Sequence, residues 1–193
     1  MSNPFIKKQL DFIINTTGKT DIYEIDNIRY GLEILYGEFF KLIIMLFFSL
    51  ILDKFLAFLI LISLLVSIRP LIGGSHAKTY TSCMILSNFL FIIIYYLADI
   101  IPKINTLIHF LIILLSIIIV RSFKPVNAKR KSVNTEYKNI KFKDIVTIIL
   151  ICWFIISTLF LSSYYTNCGL LIILYIILDF IKEVYKNEKK III

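Results

Sequence analysis

Residues 104–120 read INTLIHFLIILLSIIIV, with His109 as the single ionisable side chain in the run. A half-buried strand would alternate apolar and polar residues, and a surface helix would confine its apolar residues to one stripe; this run does neither. As a helix it is about 26 Å long, close to the hydrocarbon thickness of a bilayer, roughly 30 Å. Outward from it the pattern recurs. Residues 39–52, 55–68, 84–98, 145–163 and 169–181 are further apolar blocks separated by short polar breaks. Composition agrees: 59% of the 193 residues are hydrophobic and 18% charged, with a mean hydropathy of +0.86. Soluble chains run at about 45–50% apolar and about 25% charged. The expected fold is all-α: a polytopic membrane protein of six transmembrane helices, preceded by N-terminal amphipathic helices. The expected division is an amphipathic region 1–38, a membrane bundle 39–181 and a tail 182–193, all within one membrane-embedded domain. Three cysteines imply no disulfide framework, and composition excludes disordered, collagen-like and zinc-ribbon classes.

The first 38 residues hold four basic and six acidic side chains and no uninterrupted apolar stretch, so a cleavable signal peptide is not expected. Ser2-Asn3-Pro4 reads as a helix start and Asn15-Thr16-Thr17-Gly18 as its stop. A second stretch sets Ile22, Ile25, Ile28, Leu32, Leu35 and Phe39 at steps of three or four, one apolar stripe on a helix. Packing against its own protein, an interfacial position and a peptide-docking surface all fit that stripe. Several blocks are shorter than the roughly 20 residues of an upright span, so flanking residues must extend them or the membrane must thin. Only Asp53-Lys54 separates the first two, and a tight hairpin with that pair at its tip fits better than one overlong helix.

Charge sets the orientation. With the N-terminus inside, the segments up to Lys41, 69–83, 121–144 and the C-terminal tail hold 19 of the 21 basic residues, leaving only Lys54 and Lys103 outside. Both termini are therefore expected in the cytoplasm. The net charge of +8 then lies at the inner membrane surface, where anionic lipids or an acidic peptide, and not nucleic acid, are the expected partners.

Chemistry concentrates in the loop expected at 69–83: Arg69-Pro70-Leu71-Ile72-Gly73-Gly74-Ser75-His76-Ala77-Lys78-Thr79-Tyr80-Thr81-Ser82-Cys83. It holds one of two histidines and one of three cysteines. A thiol becomes a strong nucleophile as its thiolate, and a neighbouring imidazole is a common means of forming one. Gly73-Gly74 permits a sharp turn ahead of His76. Seven helical positions put His76 and Cys83 on one face but separate their α-carbons by a rise of about 10.5 Å, so the helix must bend or begin late for the two to meet. If the third span starts near Ser82, Cys83 falls in its first turn, where the helix dipole favours an anion. On these residues alone, a buried cysteine and a loop histidine with no joint role are favoured over a catalytic pair.

Gly73-Gly74-Ser75-His76-Ala77 followed by Cys83, after Arg69 at the inner end of an early span, resembles the AgrB family of membrane peptidases in Gram-positive quorum sensing. Tyr30-Gly31-Leu32-Glu33 and the six-block layout with a basic loop after the fourth block are similar too. The resemblance implies a bacterial plasma-membrane cysteine endopeptidase with His76 and Cys83 as its catalytic pair. Arg69, Gly73, Gly74 and Ser75 would support that pair. The implied substrate is an AgrD-like pheromone precursor, cut through a peptidyl thioester and cyclised to a thiolactone or lactone, and a homodimer is also implied. The loop 121–144 departs from the family pattern, with Pro125 and Lys129-Arg130-Lys131 as a divergent version of its proline turn and basic cluster. That cluster fits either a solvated topogenic face or a dock for an acidic peptide tail. No cofactor or metal is expected, since no His, Cys, Asp and Glu residues stand at ligand spacing.

Among the remaining polar residues, His109 falls towards the outer side, and Cys152 and Cys168 read as packing residues. Asn88 and Asp179 either orient His76 or bond between helices; Asp99 and Asn105 read as caps of an outer loop. The third catalytic member stays unassigned. The alternative to a peptidase is a non-enzymatic transporter or receptor subunit in which His76 and Cys83 only pack.

Overall fold

The computed structural model describes residues 4–18, 21–75, 80–125 and 135–192. Among them the chain forms seven helices and no strand: α1 (Pro4–Thr17), α2 (Ile22–Ile51), α3 (Phe55–Ile72), α4 (Tyr80–Ile100), α5 (Thr106–Ser122), α6 (Thr135–Phe160) and α7 (Ser163–Ile192). Four stretches are long and apolar enough to cross a membrane: Tyr23–Ile51, Phe55–Ile72, Ser82–Ile100 and Ile140–Phe160; α5 is a shorter apolar helix. The protein is all-α and polytopic, as the composition requires.

Two compact units divide the chain, Met1–Phe48 and Ser49–Ile193. In the first, α1 begins at Pro4, where a missing N–H costs nothing. It ends at Gly18, whose φ of +64° and bond from its N–H to the Ile14 carbonyl (2.9 Å) close the last turn. The amphipathic stretch 22–38 and the apolar block 39–52, expected as separate elements, are one 30-residue helix. Neither Gly31 nor Gly37 breaks it, because a single glycine lowers helix propensity by only about 1 kcal/mol.

The second unit is built around α7, which packs against α3, α4, α5 and α6, while α6 also packs against α3 and α5. Cys168, Leu170, Ile172, Ile173, Ile176, Ile177 and Phe180 of α7 are buried. Gly169 lies so close to Trp153 of α6 that a β-carbon there would enter the indole ring. By contrast the outward faces of α4, α5 and α6 expose Ile85, Phe89, Phe110, Leu111, Ile148 and Ile155. In water such continuous apolar surface would drive association; in a bilayer it faces lipid.

The breaks follow local chemistry. Between α2 and α3, Asp53 adopts a φ of +54°, a conformation Asp tolerates, and the Lys54 N–H bonds the Ser49 carbonyl at 2.8 Å. Lys54 pairs with Asp99 at 3.0 Å and lies over the Tyr164 ring at 4.3 Å. Asp99 is thus an ion-pair partner of Lys54. Asn105 does cap α5, accepting the Leu107 N–H at 3.1 Å. The segment 69–83, expected as loop, is largely helical: α3 continues through Pro70 to Ile72 and α4 starts at Tyr80. Likewise α6 begins at Thr135, well before the expected 145, and the residues expected as a tail continue α7. In the third turn of α6, Asp144 pairs with Arg121 at 3.1 Å and Lys143 donates to the Arg121 carbonyl at 2.7 Å. These contacts tie the end of α5 to α6. Lys129, Arg130 and Lys131 lie outside the described residues.

Candidate active site

Arg69 occupies the last turn of α3, and Gly73 ends that helix, its N–H bonded to the Arg69 carbonyl at 2.9 Å. Gly73 has φ +88° and ψ 177°, a region essentially restricted to glycine. The chain therefore turns sharply away from the helix axis, as the pair Gly73-Gly74 permits.

The turn delivers the next two residues onto α7. Asp179, one of the few buried carboxylates, receives three donors there. Its Oδ2 accepts the Ser75 N–H at 3.0 Å and the Arg69 guanidinium at 3.2 Å; its Oδ1 accepts the Ser75 hydroxyl. The same Arg69 Nη2 donates to the Ser75 carbonyl at 2.6 Å. Arg69 is 22% exposed and Asp179 8% exposed, so the pair is shielded from water. Gly74 sits between them: a β-carbon there would come within 2.7 Å of Asp179 Oδ2 and 2.9 Å of Arg69 Nε. Each expected supporting residue of this segment, Arg69, Gly73, Gly74 and Ser75, therefore has a distinct structural part.

Cys83 is half-buried and falls in the first turn of α4. Tyr175, one helical turn before Asp179 on α7, lies within electrostatic range of Arg69, Asp179 and Cys83 alike. Asp179 and Tyr175 thus share a face of α7, with Ser75 bonded to the first and Cys83 within electrostatic range of the second. His76 itself lies outside the described residues. α3 stops at Ile72, and residues 73–75 after it are not helical.

The other polar residues lie apart from this cluster or spend their donors locally. Asn88 donates to the Met84 carbonyl of its own helix at 2.9 Å. His109 is 2% exposed and packs edge-on against Phe154, with ring centroids 5.0 Å apart. Cys168 is buried and Cys152 exposed. No group of three or more His, Cys, Asp or Glu suited to a metal ion occurs among the described residues.

Asp179 is the residue that the sequence left open between orienting His76 and bonding between helices. Its signal was an ionisable residue inside an apolar block, which marks function or a buried partner by default. Its sequence separation of 110 residues from Arg69 hid that partner.

The profile described as Accessory gene regulator B matches residues 6–181. The chain is 32% identical over 166 residues to a putative AgrB-like protein of Clostridium beijerinckii, covering 86% of this chain and 79% of that one. It is 28% identical over 161 residues to accessory gene regulator protein B of Staphylococcus saprophyticus (83% and 84% covered). Against the protein of that name in Staphylococcus aureus strain N315 it is 30% identical over 149 residues (76% and 77% covered). No solved structure matches it. With nearly its whole length inside the profile, this chain belongs to the Accessory gene regulator B family.

Proposed function

We propose that the protein is an integral cysteine endopeptidase of the bacterial plasma membrane, with six crossings and both termini inside, which processes an AgrD-like quorum-sensing precursor. His76 takes the proton of the Cys83 thiol, and the sulfur attacks the carbonyl carbon at the C-terminal boundary of the future signal. As the tetrahedral adduct collapses, the C–N bond breaks and His76 returns the proton to the departing amine. The charged C-terminal fragment leaves, and the rest of the peptide stays on Cys83 as a thioester. A cysteine thiol or serine hydroxyl within the bound peptide then attacks the thioester, its proton passes through His76 to the Cys83 sulfur, and a thiolactone or lactone ring is released. When the ring is a thiolactone one thioester replaces another, so holding the nucleophile close is the main requirement; such proximity can lower a barrier by up to about 7–11 kcal/mol.

The observation that supports this reading is the bonding of Ser75, the residue that precedes His76, to Asp179 on α7. The basic segment Lys129-Arg130-Lys131 anchors the inner face and attracts the precursor's acidic tail. Anionic headgroups hold the leader at the same surface, and two copies of the chain form a homodimer.

The test is coexpression with an AgrD-like precursor tagged at its C-terminus, using the parent, Cys83→Ala and His76→Ala. Release of the tagged fragment by the parent alone is expected. Unchanged release in either variant would refute the mechanism and favour a non-enzymatic membrane subunit.

A further inference from the structure

A peptidase built from one histidine and one cysteine needs a third element to hold the histidine. Of the two polar side chains weighed for that task, Asn88 donates to the Met84 carbonyl of its own helix, whereas Asp179 bonds the residue that precedes His76. Asp179 meets the requirement in a particular way: it grips the backbone immediately ahead of the imidazole. Ser75 is bonded directly to His76, and adjacent α-carbons are about 3.8 Å apart across a trans peptide, so the clamp acts on the residue next to the imidazole's own.

From these contacts we infer that Asp179 is the positioning residue for His76, acting through the Arg69–Ser75 clamp; this rests on the His76–Cys83 reading above. The carboxylate suits the task because one oxygen takes the Ser75 N–H and the guanidinium while the other takes the Ser75 hydroxyl. An amide in its place would lose the charge and turn one acceptor into a donor. Arg69 closes the loop from the other side, donating to the Ser75 carbonyl, so the residue before His76 is held at both its N–H and its C=O. Gly74 lets the carboxylate and the guanidinium approach, since a side chain there would meet both. The carboxylate also stands on the helix that packs against four others, so its own position is rigid. A misplacement of about 1 Å in a catalytic group can cost about a hundredfold in rate, which is why such bracing matters.

The test needs no peptide. Purified protein in detergent is treated with iodoacetamide at neutral pH, and modification of Cys83 is followed by mass analysis of the peptide carrying it. An unassisted thiol is only about 3% ionised at pH 7, so His76→Ala should slow alkylation on the order of tenfold. Asp179→Asn is expected to slow it by a similar factor, and the double variant to be no slower than His76→Ala alone, because both changes act through one imidazole. Ser75→Ala keeps the charge pair and the N–H bond and should slow alkylation about two- to threefold; it decides the matter if Asp179→Asn does not fold. Asp179→Asn and Ser75→Ala both reacting at the parent rate while His76→Ala is slow would overturn the positioning role alone. A double variant much slower than His76→Ala would overturn it too. Parent-rate alkylation in His76→Ala would remove the imidazole–thiol pairing itself, and Asp179's role with it.

Discussion

Breaking the Arg69–Asp179 pair tests the clamp by its energetics, independently of any reaction. At 3.2 Å, two unit charges in an effective dielectric of about 20 attract by about 5 kcal/mol. Dehydration of both groups opposes that attraction, yet removing one partner of a buried pair still costs about 3–5 kcal/mol, because the other charge is left without its counter-ion. The two single variants should differ. Arg69→Ala leaves the carboxylate with both Ser75 donors and belongs at the lower end of that range. Asp179→Ala strands the guanidinium and the Ser75 N–H and belongs at the upper end. Since either single variant already destroys the pair, the double variant should cost less than the sum by about 2–3 kcal/mol. Trp153 is the only tryptophan and is 7% exposed, so its fluorescence reports unfolding as SDS is titrated into mixed micelles. Additivity within about 0.5 kcal/mol would refute the clamp as an energetic unit.

Glycine-to-alanine exchange should have opposite signs at two helical sites. A β-carbon added at Gly31 of α2 would meet nothing within 4 Å, so alanine there should raise stability by up to about 1 kcal/mol. At Gly169 the added methyl must displace the Trp153 ring, and a loss of about 1–3 kcal/mol with a shifted emission maximum is expected; unchanged emission would contradict the packing. Asn105→Ala removes the α5 cap and should cost about 1 kcal/mol in the same unfolding assay. A membrane-impermeant maleimide is expected to label Cys83 in inverted vesicles and not in intact cells; labelling of intact cells would reverse the orientation.

Much of the fold was legible because bilayer helices announce themselves by continuous apolar runs, and the turns by residues such as Asp53, Asn105 and Gly73. The helix ends were less legible. Nothing in residues 22–51 stops a helix, so a change from amphipathic to uniformly apolar marks a change of environment and not of backbone. Pro70 reads as a breaker, yet the helix passes through it for two more residues. Proline forfeits one bond to the carbonyl four residues back, and the break is set instead by Gly73, where the backbone takes a conformation other residues avoid.

The site was half legible for a related reason. Resemblance to a family motif proposes a local pair, His76 and Cys83, but says nothing about what arrives from elsewhere in the chain. In water the most apolar segment is the natural centre of a fold; in lipid the order inverts, because the solvent is itself apolar and polar groups must find protein partners. The central helix here is α7, which carries Asn167, Gly169 and Asp179 among its packed residues. Asn167 donates to the Ile101 carbonyl at 2.9 Å, tying one end of α7 to the end of α4, and Asp179 holds the Arg69–Ser75 segment further along the helix. Asn167 and Asp179 thus each fix a contact that apolar packing alone leaves free to slide. The carboxylate in the last apolar block, which looks like an interruption of a membrane span, is by this logic the residue that sets where the loop before His76 must lie.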